Sequence, residues 1–320
     1  MIPKARYIIG ELRNHGLDSY WWRQRFLDRI ARPYFQRTGN RRTPIYEEDW
    51  DNLIILDACR YDLFDEAVDP DDLPGESSDR LSLGSATPEY LATNFYGNTF
   101  HDIVYITSNP YVNTNLEDGT FHDVVSVWKD GWDEDLQVVT PESMLEQTLA
   151  AAKTYPNKRL IAHFTQPHVP FIGEERLGQR KVSNIRRRAA GKKTVDKSDR
   201  EPTPFEMLAR GEVSKSEVWT AYLSNLERVL PSIDTLLKEL DGMTAVSSDH
   251  GNGLGEYATP FPIRVYGHPV GIHTSALTRV PWHVYQNGNR REIEAEPPIH
   301  QDISSHDDVD NRLRMLGYKG

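Results

Sequence analysis

Residues 245–256 read AVSSDHGNGLGE. The stretch starts as a short apolar run, Met243, Ala245 and Val246, and then breaks into small polar residues, an Asp-His pair and three glycines. That is how a buried strand ends in a loop at the edge of a sheet. Asp249 and His250 are adjacent, so on an extended chain their side chains point to opposite faces. Only a loop lets both meet one ion, and Gly251, Gly253 and Gly255 supply backbone freedom for it. A carboxylate oxygen beside an imidazole suits Zn or Mn better than Ca. The plainer alternative is a polar turn after a core strand.

Working outward, Asn52–Leu56 (NLIIL) is apolar on both faces and ends at Asp57. Such a run predicts a central strand covered on both sides. A carboxylate at its carboxyl end sits where open α/β sheets place ligands, which makes Asp57 a second metal-ligand candidate. Alternatively Asp57 caps the next helix, with Arg60 and Asp62 as a local ion pair. Cys59 reads as a small buried filler. Residues 103–107 (IVYIT), 124–127 and 159–164 (RLIAHF) predict further strands. Residues 141–152 and 214–240 predict helices, the second kinked or divided by Pro231. Alternation of strand and helix predicts an α/β fold, a doubly wound and mostly parallel central sheet with helices on both faces.

Other segments carry polar chemistry. Residues 66–82 are rich in Asp, Pro and Ser and read as a surface loop. Thr87-Pro88-Glu89, followed by Leu91 and Phe95 at helical spacing, predicts a helix start. Its free N–H groups suit an anion, and a hydroxyl there can attack phosphorus or sulfur if a metal lowers its pKa. The commoner role for Thr87 is a plain N-cap. His163 and His168 emerge with Gln166 around the end of the 159–164 strand, suited to a ligand oxyanion, a metal or backbone carbonyls. His268 and His273 lie in a loop before a strand in 277–285. Residues 308–318 predict a short terminal helix with a glycine stop.

The chain has 320 residues, net charge -11, 38% hydrophobic and 27% charged residues. That fits a soluble globular protein and argues against a general nucleic-acid binder. One cysteine excludes an internal disulfide and a Cys-based zinc site. No apolar run approaches a membrane span and no signal-peptide core is seen, so a cytoplasmic location is expected by default. Residues 1–45 are basic and aromatic and read as a separate helical segment, with a single main domain expected in 46–320. Trp22, Phe26, Leu27 and Ile30 fall at helical spacing. A face packed on the domain is favoured because Asp18 and Asp28 dilute the charge; the alternative is peripheral contact with an anionic membrane. Residues 174–203 form a basic insertion, read as a solvated loop or as a flap attracting a polyanionic substrate.

Taken together, four blocks resemble the alkaline phosphatase superfamily in its sulfatase-like branch, the one that includes phosphoethanolamine transferases. They are NLIILDACRYDLF (52–64), AVSSDHGNGLGE (245–256), YGHPVGIHTSALTRVPWHVY (266–285) and VDNRLRMLGYKG (309–320). The resemblance implies a divalent metal at the carboxyl edge of the sheet, held by Asp57, Asp249 and His250, with Thr87 and His268 as further positions. It implies Thr87 as nucleophile, Ser85 as the fallback, and His163, His168 and His268 on substrate oxygens; His273 and Arg60 match more weakly. Cys59-Arg60-Tyr61-Asp62-Leu63 departs from the sulfatase C/S-x-P-x-R signature, which argues against formylglycine chemistry. Asp57-Ala58 replaces a doubled Asp, so one calcium ligand is missing. The expected activity is metal-dependent hydrolysis or transfer of phosphate esters, on a substrate such as a glycan or lipid headgroup. The alternatives are sulfate-ester hydrolysis and a non-catalytic protein that binds anionic glycan or a membrane surface. No oligomeric state follows.

Overall fold

The computed structural model describes residues 18–38, 42–69, 73–177 and 202–299, together with Gly16, Leu313 and Leu316. Eleven strands are present among them: β1 Asn52–Leu56, β2 Glu76–Leu81, β3 Phe100–Thr107, β4 Phe121–Ser126, β5 Trp132–Asp133, β6 Val138–Val139, β7 Arg159–Phe164, β8 Gly242–Ser247, β9 Gly253–Tyr257, β10 Arg264–Gly267 and β11 Arg279–Asn287. Seven form one sheet in the order β2-β11-β8-β1-β7-β3-β4. The neighbours from β8 through β4 pair in parallel, whereas β11 runs antiparallel to both β8 and β2. The result is a mostly parallel α/β sheet with helices around it, as the strand-helix alternation predicts.

β1 lies at the centre and every one of its residues is buried. Its continuous apolar sequence follows from cover on both faces. β1, β7 and β8 are hydrogen-bonded neighbours in the same direction, so Asp57, the Thr165–His168 turn and Ser248–His250 all leave the sheet at one edge. Crossover helices return the chain between them, among them Pro141–Thr154 before β7, and Lys215–Glu227 and Leu230–Glu239 before β8. Pro231 sits in the first turn of the last of these, so the predicted long helix is divided there. A proline lacks the N–H an interior turn needs but costs little in a first turn.

Two segments differ from their expectation. Residues 76–81 form edge strand β2 rather than loop; its sequence ESSDRL is mostly exposed and so has no apolar period to read. Polar, charged edge strands are how sheets limit further pairing. Two of the three loop glycines, Gly253 and Gly255, lie inside β9, which pairs with β10 as an antiparallel hairpin where a loop is expected.

At the N-terminus, Ser19–Phe26, a π-turn at Leu27–Ala31 and Arg32–Thr38 form one helical arm. Leu27, Ala31 and Phe35 are buried against Ala258, Val265, Ile272 and Leu277. Residues 178–201, most of the basic insertion, lie outside the described residues, as does the expected terminal helix apart from Leu313 and Leu316, both buried.

Candidate metal centre and active site

Ser248 orders the loop after β8 by donating from Oγ to the His250 carbonyl at 2.6 Å and accepting the Cys59 N–H at 2.8 Å. Asp249 Oδ1 accepts the backbone N–H of Ala58 and of His250, each at 2.9 Å. Ala58 reaches this bond with φ 62°, a left-handed conformation costing a non-glycine residue roughly 1–2 kcal/mol. The loop from β1 thus spends strain to grip the carboxylate of the loop from β8. Gly251 is required for a close approach: a Cβ there would lie 2.3 Å from the Ala276 carbonyl oxygen. Of the three loop glycines only Gly255 has positive φ, at 97°.

The second oxygen of Asp249 faces inward. Thr87 Oγ1 donates to it at 2.8 Å and lies 3.3 Å from His250 Nε2. His250 Nε2 lies 3.4 Å from Asp249 Oδ2 and 3.7 Å from Asp57 Oδ1. All four residues are fully buried. Thr87 is not the N-cap of its helix, Thr87–Phe95; that place belongs to Ala86, whose side chain makes no capping bond. Nor does Asp57 cap the next helix, whose N-cap is Arg60. Asp57 Oδ2 instead accepts Asn109 Nδ2 at 2.9 Å.

Each histidine has a defined role. His250 Nδ1 can only donate to the Gly251 carbonyl, 2.9 Å away, which leaves the Nε2 lone pair facing the carboxylates. A ring nitrogen anchored in this way is the usual second contact of a metal-bound imidazole. Burial pushes His250 down to about 4, so it is neutral near pH 7. His163 is likewise pushed down to about 4 by burial. Its Nδ1 is 2.9 Å from the Tyr105 hydroxyl, and its Nε2 lies 3.8 Å from Asp57 Oδ2 and 3.9 Å from Asp249 Oδ2. That buried Nε2 has no hydrogen-bond partner among the described residues.

These residues fit a divalent transition metal. Asp57, Asp249 and His250 each offer a ligand atom within 4.8 Å of the others. Donors about 2.0–2.2 Å from a tetrahedral zinc are about 3.4 Å apart, close to the separations here. Burial raises the Asp249 carboxyl above its ordinary value, the cost of two carboxylates facing neutral imidazoles. A cation would remove that cost.

The remaining candidates fall into two groups. His168 and His268 join their Nε2 atoms at 3.0 Å. His168 Nδ1 donates to the Val169 carbonyl at 2.8 Å, so its Nε2 accepts and His268 Nε2 carries the proton. Desolvation, then the neighbouring His250, push His268 down to about 3. The His250 and His268 rings are 4.7 Å apart. Ser85 and His273 stand outside the cluster. Ser85 Oγ donates to Glu89 Oε2 at 2.8 Å and accepts the Gly271 N–H at 2.8 Å, while His273 Nε2 is 3.0 Å from Glu89 Oε1. Together they tie the His268 loop to the Thr87 helix. Arg60 pairs with Asp62 at 2.6 Å and Glu256 at 2.9 Å. Burial pushes the Cys59 thiol well up, consistent with a filler. Sequence reasoning missed Asn109 and Tyr105; an Asn-Pro step just after a buried strand was the only signal for the first.

No family model matches the chain, and no curated protein matches it. Several solved structures share its chain path. The soluble domain of lipooligosaccharide phosphoethanolamine transferase A from Neisseria meningitidis is 14% identical over 73% of this chain and 75% of that one, with a TM-score of 0.45. The C-terminal periplasmic domain of EcEptC from Escherichia coli, in complex with Zn, is 10% identical over 72% of each chain, with a TM-score of 0.41. A putative sulfatase from Bacteroides thetaiotaomicron is 12% identical over 83% of this chain and 70% of that one, with a TM-score of 0.37. The transferase and sulfatase structures are of the alkaline phosphatase superfamily, sulfatase-like branch, the group that the four sequence blocks resemble. The expected cytoplasmic location is overturned, because the similar structures include periplasmic domains. No described helix is long and apolar enough to cross a membrane.

Proposed function

We propose that the chain is a metal-dependent phosphoric ester hydrolase or phosphotransferase with Thr87 as its nucleophile. One observation carries this reading. The Thr87 hydroxyl is fully buried, makes no helix cap, and points at Asp249 Oδ2 and His250 Nε2 inside a cluster of metal-ligand types. Asp57, Asp249 and His250 would hold the ion, with Zn or Mn favoured over Ca by the imidazole. When bound, such an ion supplies Lewis acidity that lowers the hydroxyl pKa and offsets charge on an ester oxygen.

The residues then divide the work. Thr87 Oγ1 gives its proton along the hydrogen bond to Asp249 and attacks phosphorus in line with the leaving oxygen. The P–O bond to the leaving group breaks, leaving a phosphothreonine ester. The departing alkoxide takes its proton from solvent water, and the His268 Nε2–H, held by His168, stays a neutral polar contact beside the site. Water or an acceptor alcohol next attacks the phosphothreonine and loses its proton to solvent, the P–O bond to Thr87 breaks, and the proton held on Asp249 returns to the Thr87 oxygen. His163 Nε2 offers a further polar contact beside the cluster.

The test is turnover of an aryl phosphate monoester, a phosphodiester and a sulfate ester, with Zn or Mn added and Thr87→Ala alongside. Cleavage of one phosphate class that disappears in the variant supports the reading. Cleavage of the sulfate ester alone, or full activity in Thr87→Ala, overturns it.

A further inference from the structure

We infer that the N-terminal arm, residues 18–38, docks the protein on an anionic lipid surface and brings the mouth of the site to the headgroups. The arm has one buried stripe, Leu27, Ala31 and Phe35, spent on the domain. Away from it, Trp22 is 38% exposed, Ile30 50% and Tyr34 38%. They are three of the seven large exposed hydrophobic residues found among the described residues. Tyr34 meets Phe261 of the domain edge-on with ring centroids 5.2 Å apart and Trp22 meets Trp21 at 4.8 Å, yet each keeps more than a third of its surface exposed.

Charge selects the occupant. The arm carries five arginines against Asp18 and Asp28, on a chain of net charge -11. Arg23 is committed to the Tyr266 ring, 4.8 Å away, whereas Arg29 and Arg37 are exposed on the arm. Trp, Tyr and Ile interleaved with exposed arginine suit the boundary between acyl chains and anionic headgroups. A locally cationic arm on an acidic protein also orients it, since charges beyond about 8 Å are screened at physiological salt. The arm reaches the site as well. Tyr20 and Gln24 line a cavity of about 180 Å³ with His168, Phe205, Tyr266 and His268. A headgroup entering along the arm would meet the histidine pair first. This last step rests on the phosphoester reading; docking itself does not.

The full chain is sedimented with phosphatidylcholine vesicles with and without phosphatidylglycerol. Wild type is expected to pellet with the anionic vesicles alone. Arg29→Gln with Arg37→Gln is expected to weaken that binding roughly tenfold to thirtyfold, about the contribution of two basic residues at such a surface. Trp22→Ser with Ile30→Ser is expected to weaken it at least tenfold. Both pairs should keep the wild-type circular dichroism and hydrolysis of a soluble ester. Failure of wild type to bind anionic vesicles, or variants that bind as well as wild type, overturns the inference. So does a wild-type dimer lost in Trp22→Ser without vesicle binding, which would assign the face to a second copy. A protein that binds vesicles but cleaves no ester would sink the phosphoester reading and leave docking intact.

Discussion

The two ends of the central strands handle buried carboxylates in opposite ways. Before β1, Asp51 is 2% exposed and pairs with Arg290, which also holds Asp49 at 2.7 Å. The guanidinium pulls the Asp49 carboxyl below its ordinary value, and both acids raise Arg290. After β1 and β8, Asp57 and Asp249 are wholly buried, and the groups near Asp249 that could carry positive charge are the histidines His163 and His250. Those histidines are held neutral by burial. One end therefore carries its own cation, and the other gathers ligand types that could hold a metal ion. Burying charge is costly, and buried ionisable clusters are where function concentrates.

That contrast yields a graded set of outcomes. The largest concerns Thr87, where Ala should lower turnover by about 10³-fold or more while metal content stays at the wild-type level. Steady-state kinetics with metal analysis on the same samples check this; turnover near wild type would remove Thr87 from the chemistry.

Next comes Asp249→Asn. The amide still accepts from Ala58 and His250 at one atom and can donate to His250 Nε2 with the other. Metal-free protein should melt at or above the wild-type temperature, while the rise on adding Zn disappears. At the opposite end Asp51→Asn should lower the melting temperature with or without metal, by about 1–2 kcal/mol in stability. If both substitutions behave alike in calorimetry, the two ends do not differ as argued.

Acid should act through the histidines. In the folded chain His163 and His250 lie near 4, below the ordinary value of 6.5. Between those values the unfolded chain binds more protons, so metal-free stability should fall as pH drops from about 6.5 towards 4. Each histidine contributes up to about 1.4 kcal/mol per pH unit. Asp249, raised by burial, opposes this near the carboxylate range. His163→Gln should flatten part of the slope in a melting series; an unchanged slope would mean that His163 is not held neutral.

The smallest effect is expected at Glu89, which fastens Ser85, Gly271 and His273. Glu89→Gln should leave metal binding intact and change kcat by severalfold, because it loosens the His268 loop without touching the ion.

How much was legible in the sequence follows from what each residue's neighbours are. Asn52–Leu56 and Arg159–Phe164 declare themselves because a strand covered on both faces takes a nearly continuous apolar run, here Leu53–Leu56 and Leu160–Ala162. Pro231 divides its helix because the missing N–H is local chemistry. Asp249 and His250 stand out because an acid beside an imidazole in a glycine loop after an apolar run is a pattern of ligand types, though a polar turn reads the same way in sequence. Strand β2 was invisible, since an exposed edge takes polar residues without period. Asn109 and Tyr105 carried little signal, since Tyr105 touches His163 on the neighbouring strand and Asn109 reaches Asp57 from the end of β3 past the intervening β7.

The sequence alone settled the strand-helix alternation, the central strand and the residue types able to ligate metal, all matters of local pattern and donor chemistry. Only the tertiary structure separated Thr87 from Ser85. Both are small hydroxyls at a helix start, yet one points at Asp249 and the other is spent on Glu89 and Gly271. Direction in space depends on which strands lie side by side, and contacts between residues 87 and 249 have no local signature along the chain.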